Sequence, residues 1–257
     1  MTSKDDPIDQ FAIRAAAAKI FRPAAPVSHR EMFVGRSGQL ELAFEASIEV
    51  GRHVAVFGER GVGKTSLANV ILEVLTTTGV LVAKAGATKD DSLESLLARA
   101  FSEIKYQVET RDIGFKEDAK SAETTLASAL VDSGNGVSFD AALRFLRGTD
   151  GTVLILDEFD RMPHDERNRF TDLVKALSDA GSSSTLIFVG VAESVTGLID
   201  DHLSLGRNLI QVEMPRMDPQ EIEGILSKAS AIDTQFPADV VARIVRFSQG
   251  LPHYPHL

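Results

Sequence analysis

The octapeptide Gly58-Glu59-Arg60-Gly61-Val62-Gly63-Lys64-Thr65 fits the pattern G-x-x-x-x-G-K-[ST] and constrains this chain more than any other stretch. It follows the apolar run His53-Val54-Ala55-Val56-Phe57 and precedes Leu67, Val70, Ile71, Val74 and Leu75, which recur at helical spacing. The motif is therefore read as the turn between a strand and an amphipathic helix. Glycines there let main-chain N–H groups from Gly58 to Ser66 turn inward without a Cβ in the way. The start of the helix adds unpaired N–H groups and the positive end of its dipole. Such a loop suits a polyphosphate tail, with Lys64 as a cation for the β- and γ-phosphates and the Thr65 hydroxyl as a Mg²⁺ ligand.

Strand-like and helix-like segments alternate on either side of this motif, predicting an α/β fold with a central five-stranded parallel sheet flanked by helices. The five strands are expected at His53–Phe57, Val80–Ala85, Thr152–Leu156, Thr185–Val189 and Asn208–Val212. Residues about 9–21 read as an Ala-rich helix ended by the Pro-bearing linker Arg22–Pro26. A helix over about 37–50 is expected to place Leu40, Phe44, Ser47 and Ile48 on one face. Asp91 with Glu94 predicts a capping box for the next helix. Residues about 109–136 are polar and lack sustained periodicity, so they are read as a surface insertion within an α/β domain spanning 33–217. Helices are expected over about 138–147 and 163–180, the latter burying Phe170, Leu173, Val174 and Leu177. At Asp218-Pro219-Gln220-Glu221 the texture changes to helices alone, about 219–231 and 237–249, predicting a boundary there and a helical segment over 218–257. The chain stops at Leu257 as another helix is expected to begin, so that segment is read as truncated.

Val153-Leu154-Ile155-Leu156-Asp157-Glu158 is a continuously apolar strand that delivers two carboxylates to the sheet edge bearing the phosphate loop. Asp157 is a candidate to hold Mg²⁺ through its water shell, because Mg²⁺ gives up water reluctantly. Glu158 is a candidate to orient and polarise an attacking water.

Composition excludes several classes. The net charge of −10 argues against a large sequence-independent affinity for nucleic acid. Two clusters of basic residues, Arg161/Arg167/Arg169 and Arg243/Arg246, are read as solvated helix faces. No apolar run reaches the ~20 residues of a spanning helix, which predicts no membrane partner. Zero cysteines exclude disulfides and thiolate metal sites, and with a polar, acidic N-terminus lead to the expectation of a cytoplasmic protein.

In this order the motifs resemble the AAA+ ATPases and their STAND (signal-transduction) relatives, with the nearest likeness to bacterial and archaeal ATPases of the origin-recognition/Cdc6-like group. Phe33-Val34-Gly35-Arg36 is similar to the family's F-x-G-R segment, which implies that Phe33, Val34 and Arg36 pack beside an adenine. Glu193 or Ser194, after the fourth strand, falls where the family places sensor 1. Arg207 falls where it places an arginine finger that enters a neighbouring subunit's site. Gly250-Leu251-Pro252-His253 is similar to the G-x-P segment of the helical lid, implying that Pro252 and His253 approach the nucleotide. The resemblance thus implies a P-loop NTPase fold with a C-terminal helical lid. It also implies binding of ATP or ADP with Mg²⁺, and self-association or a protein partner reached through regions outside residues 1–257. Catalysis would fall to Glu158, Lys64 and Arg207.

The expected function is ATP hydrolysis to ADP and phosphate, coupled to lid movement and to assembly or signalling. A slow nucleotide-dependent switch is a second expectation. A DNA-loading or DNA-remodelling ATPase is a third, which the acidic charge does not support. A small-molecule kinase shares the phosphate loop but is not expected to carry the Asp157-Glu158 pair, the lid and the Phe33–Arg36 segment together.

Overall fold

The computed structural model describes residues 15, 17, 21, 25–110, 120–131, 136–193, 198, 205–232 and 235–256. The helix expected over 9–21 and Ser194 lie outside the described residues, apart from positions 15 and 17, which are helical, and Phe21, which is not.

Five strands, β1 (His53–Phe57), β2 (Leu81–Gly86), β5 (Thr152–Asp157), β6 (Thr185–Val189) and β7 (Leu209–Glu213), form one sheet. Their order is β2-β5-β6-β1-β7 and every pairing is parallel. The continuous apolar character of β1, β5 and β6 follows from burial on both faces. Val153 and Ile155 join Val54, Val56, Ile187 and Val189 on one face. That face is covered by α1 (Ser37–Ile48) and α2 (Lys64–Thr77). Leu154 and Leu156 alternate to the other face and pack with Phe57, Leu186 and Phe188. There they meet α3 (Leu93–Ser102), α5 (Phe139–Gly148) and α6 (His164–Asp179), whose Phe170, Leu173, Val174 and Leu177 are fully buried. A Leu→Ala change at such a position costs about 2–5 kcal/mol.

Several local expectations need correction. Helix α1 buries Leu40, Ala43, Ala46 and Ser47, whereas Ile48 is 60% exposed. The small Ala43 and Ala46 face the sheet, so the helix is rotated relative to the expected stripe. The box that starts α3 is formed by Ser92 and Ser95, not Asp91 and Glu94. Asp91 instead accepts hydrogen bonds from Thr88 (N–H at 2.7 Å, Oγ1 at 2.8 Å) and from Ser95 Oγ, and pairs with Arg99. Glu94 pairs with Arg169 of α6.

Within the polar stretch near 109–136, the described residues include elements that its pattern did not suggest. An antiparallel hairpin joins β3 (Lys105–Thr110) to β4 (Lys120–Thr125) and leads into α4 (Leu126–Leu130). Leu126 and Ala127 reach the main core, so these two residues belong to the body of the domain. Of the basic cluster Arg161, Arg167 and Arg169, Arg161 is exposed as expected, while the other two are partly buried, and all three have partners. Arg161 pairs with Glu158, Arg167 Nη1 donates to the Leu198 carbonyl at 3.2 Å, and Arg169 bridges Glu94 and Glu166.

After β7, α7 (Pro219–Ser227) starts on a capping box in which the Asp218 side chain accepts from Glu221 N–H and the Glu221 side chain accepts from Asp218 N–H. A 3₁₀ turn, Lys228–Ile232, follows, so α7 is shorter than the helix expected there. Helix α8 (Ala238–Ser248) is mostly exposed, with Phe247 at 74%. Met217, Ile222 and Ile225 form a separate cluster against which Val34 packs, tying α7 to the segment before α1.

Candidate nucleotide site

Parallel strands put the C-terminal ends of β1, β5 and β6 on one edge, and the chain leaves each end through a turn that only small or strained residues make. Gly58, Gly61 and Gly63 have φ of 146°, 89° and 98°. Glu158 holds φ 54° directly after β5, an uncommon conformation for a residue with a side chain. At this edge lies a cavity of about 400 Å³, the size of a small-ligand site.

The cavity gathers most of the residues singled out by sequence. Arg60, Gly61, Val62, Gly63, Lys64, Thr65 and Ser66 line it. So do Asp157 and Glu158 from the end of β5, Phe33, Val34 and Arg36 from the lead-in segment, and Pro252 and His253 from beyond α8. Four predicted residues among those described, Gly58, Glu59, Glu193 and Arg207, are not brought in. Gly58 lies beneath Met214 instead, and the Glu59 carboxylate turns away to pair with Arg216 at 2.9 Å. Arg216 is the main reason the Glu59 carboxyl is held below its ordinary range. Arg207 precedes β7, whose start aligns with the start of β1 (His53 beside Leu209). It therefore sits on the opposite sheet edge, a five-residue strand or roughly 15 Å away. Arg207 is exposed and cannot reach the cavity of its own chain.

Lys64 is buried, and its ammonium donates to the carbonyls of Gly58 (2.9 Å) and Glu59 (2.7 Å). Burial lowers its pKa, and the nearby carboxylates of Asp160, Asp157 and Glu59 work against that lowering. Thr65 Oγ1 donates to Asp157 Oδ1 at 3.4 Å, and Asp157 Oδ1 also accepts the Glu158 N–H at 2.9 Å. The Glu158 carboxylate is engaged by Arg161 at 2.7 Å. Among the described residues no three His, Asp or Glu side chains converge to hold a metal. A cation between Thr65 and Asp157 would thus complete its shell with water and phosphate oxygens, a habit that fits Mg²⁺.

Arg36 enters the same cavity from a left-handed backbone (φ 58°) and is 3% exposed. Its Nη2 donates to the carbonyls of Pro215 and Val62, while Nε and Nη1 are buried with no partner. Burial lowers its pKa, opposed by Glu221 and Asp218. Two orphaned donors at the wall of a cavity also lined by Met32, Phe33, Met217 and Ile225 fit a ligand with an apolar body and polar edges, such as a nucleoside.

Sequence reasoning missed Asp160, Arg161, Pro26 and Val27, all of which line the cavity. Asp160 had a signal in the run Asp157-Glu158-Phe159-Asp160; its Oδ1 accepts the Val191 N–H at 2.8 Å and so ties β6 to this edge. Pro26 and Val27 had none. The segment from Val27 to Arg30, just after the linker, lies along α2 through three side chains at helical spacing: Ser66 Oγ accepts Val27 N–H (3.1 Å), Asn69 Nδ2 donates to Val27 O (3.3 Å), and Glu73 accepts Arg30 N–H (2.6 Å). In the sensor 1 region Glu193 is exposed.

A family model for the AAA ATPase domain matches residues 32–189. Among solved structures, the Walker-type ATPase PABY2304 of Pyrococcus abyssi superposes with a TM-score of 0.60 at 15% identity, covering 91% of this chain and 68% of that one. The Aeropyrum pernix ORC1 protein in complex with DNA gives 0.55 at 16%, covering 87% and 58%. RuvB of Thermotoga maritima gives 0.52 at 19%, covering 89% and 62%. At these identities the likeness is one of fold, and the chain spans about three fifths of the length of RuvB and ORC1. No curated protein sequence matches the chain.

Proposed function

We propose, starting from the fact that this chain belongs to the AAA ATPase domain family, that it binds ATP in this cavity and hydrolyses it to ADP and phosphate. The observation that carries the reading is the setting of Lys64. A buried ammonium at a helix N-terminus faces only main-chain carbonyls of its own loop, with a hydroxyl and carboxylates opposite. A phosphate oxygen would give that ammonium an anionic partner in a place that water reaches poorly.

Thr65 and Asp157 are the residues to hold Mg²⁺, which would neutralise charge on the β- and γ-phosphates. The amides of Gly61–Thr65 bind phosphate oxygens, and Arg36 with Phe33 and Val34 receives the nucleoside. Glu158 orients the water that attacks the γ-phosphorus and accepts its proton as the bond to the β-phosphate oxygen breaks. Because Arg36 N–H donates to Glu221 of α7 (3.1 Å) and Pro252 and His253 line the same cavity, the occupied state would press the helical segment 218–257 onto the α/β domain. A ligand shifts such a balance only through its different affinity for the two states, and the γ-phosphate is the group that differs between ATP and ADP. Assembly with a second copy through Arg207 belongs to the same reading.

The Glu158–Arg161 pair favours a second reading, a switch that holds nucleotide and turns over slowly until Arg161 is drawn away. The deciding measurement is phosphate release from ATP by the unaltered protein, Glu158→Gln and Arg161→Ala. Glu158→Gln should bind ATP normally and lose about 10²-fold or more in turnover. If the unaltered protein and Glu158→Gln release phosphate equally slowly while Arg161→Ala releases it faster, the switch reading replaces hydrolysis as the working activity. DNA binding, as in the ORC1 complex with DNA, would appear in the same preparation as salt-sensitive retention of an oligonucleotide.

A further inference from the structure

Asp157 has a partner that the nucleotide site does not account for. Lys84, from the edge strand β2, places its ammonium 2.9 Å from Asp157 Oδ2 and 2.6 Å from Asn69 Oδ1 of α2. Lys84 is not among the residues lining the cavity; it comes from the side where β2 and α2 meet. Side-chain exposure is 18% for Lys84 and 8% for Asp157, so the pair is largely withdrawn from water. The two carboxylate oxygens are thereby divided. Oδ2 faces the ammonium, while Oδ1 accepts the Glu158 N–H and faces Thr65.

We infer that Lys84 competes with the divalent cation for Asp157, neutralising that carboxylate when no metal is bound and setting how much metal the site requires. The inference rests on the nucleotide reading given above, in that Thr65 and Asp157 are the metal side of the cavity. Its physical basis is charge. A fixed ammonium in contact with the carboxylate cancels much of the potential that attracts a cation, and partial burial weakens the screening that would hide the effect. Asn69 holds the ammonium by its uncharged amide oxygen, so among the described residues Asp157 is the only carboxylate in contact with Lys84. The same Asn69 donates to the carbonyl of Val27, which lines the cavity. Lys84 acts through Asp157 and touches no reacting atom, so it is a positioning residue.

The test follows release of a fluorescent ADP analogue from the full chain as Mg²⁺ is added, and reads the Mg²⁺ concentration that produces half of the total change. In Lys84→Met and Lys84→Gln that concentration should fall about tenfold, and in Lys84→Arg, which keeps the charge, it should stay near the unaltered value. Gln can still bond Asp157 and Asn69, so it keeps the test open if Met disturbs folding. In Asp157→Asn, adding Lys84→Gln should bring no further fall. An unchanged or higher Mg²⁺ requirement in the neutral variants, with analogue bound normally, overturns the inference alone. If the unaltered protein holds no analogue, or Lys64→Ala holds it equally well, the nucleotide reading itself fails.

Discussion

The carbonyl oxygen of Met214 lies 2.5 Å from the position a Cβ would occupy on Gly58. The first glycine of the phosphate loop is thus required by packing. Met214 N–H also donates to Phe57 O at 2.8 Å, so this contact marks where β1 and β7 stop running side by side and the loop departs. With φ at 146°, Gly58→Ala meets both a clash with backbone and a conformation closed to other residues. We expect a loss of about 2 kcal/mol or more in urea unfolding, even without nucleotide. An unchanged midpoint would mean the two strands separate freely here.

Lys64→Ala should separate binding from folding. Its ammonium makes hydrogen bonds only to main-chain carbonyls at some cost of burial, so unfolding without ligand should change little. Retention of a fluorescent ATP analogue should fall about 100-fold, the equivalent of one or two charge-assisted hydrogen bonds. Analogue titrations on both proteins check this.

His53 gives a pH signature unrelated to the nucleotide. It is fully buried at the start of β1, its Nδ1 accepts the Leu186 N–H at 3.0 Å, and its Nε2 has no partner. Burial lowers its pKa from 6.5 to about 4. Below pH 6.5 the unfolded chain takes up a proton that the folded chain refuses, so stability is fully present above that pH and drains away down to about pH 4. The loss is on the order of 3 kcal/mol over that window. Asn in place of His53 keeps an acceptor but does not titrate. Thermal melts between pH 7 and 4 should therefore fall more steeply for the unaltered protein than for His53→Asn, and parallel curves would reject the assignment.

Arg207 tests whether copies cooperate. It stands on the sheet edge away from the cavity, its carbonyl accepts from Arg52 Nη1, and its side chain is exposed. Arg207→Ala should bind ATP as tightly as the unaltered protein. Turnover per subunit should rise with protein concentration in the unaltered protein and stay flat in the variant. If the two curves coincide at every concentration, Arg207 serves no neighbour's site.

Much of the molecule was legible where a local pattern had a single physical solution. The five strands lie within one residue of their expected ends because apolar runs bounded by Gly or charged residues can hardly be placed otherwise. The helix after Asp218 starts where it was expected, because its capping partners Asp218 and Glu221 lie within one helical turn. Asp91 and Glu94 had the same spacing and did something else, because Arg99 and Arg169 offered them charged partners that a four-residue motif cannot see. The hairpin of β3 and β4 was missed because β4, Lys120–Thr125, has Ala122 as its one apolar residue, so the alternation of Tyr106 and Val108 in β3 had no visible partner strand.

The chain's own order of residues determined the phosphate loop, the carboxylates that end β5 and the alternating fold, because each depends on neighbours within a turn or a strand. Tertiary structure alone decided that Glu59 faces Arg216, that Lys84 and Asn69 converge beside Asp157, and that Val27 lies along α2. Those contacts join residues separated by up to 157 positions. Which charge meets which across such a distance is fixed by how the sheet orders its strands, and no local periodicity encodes that order.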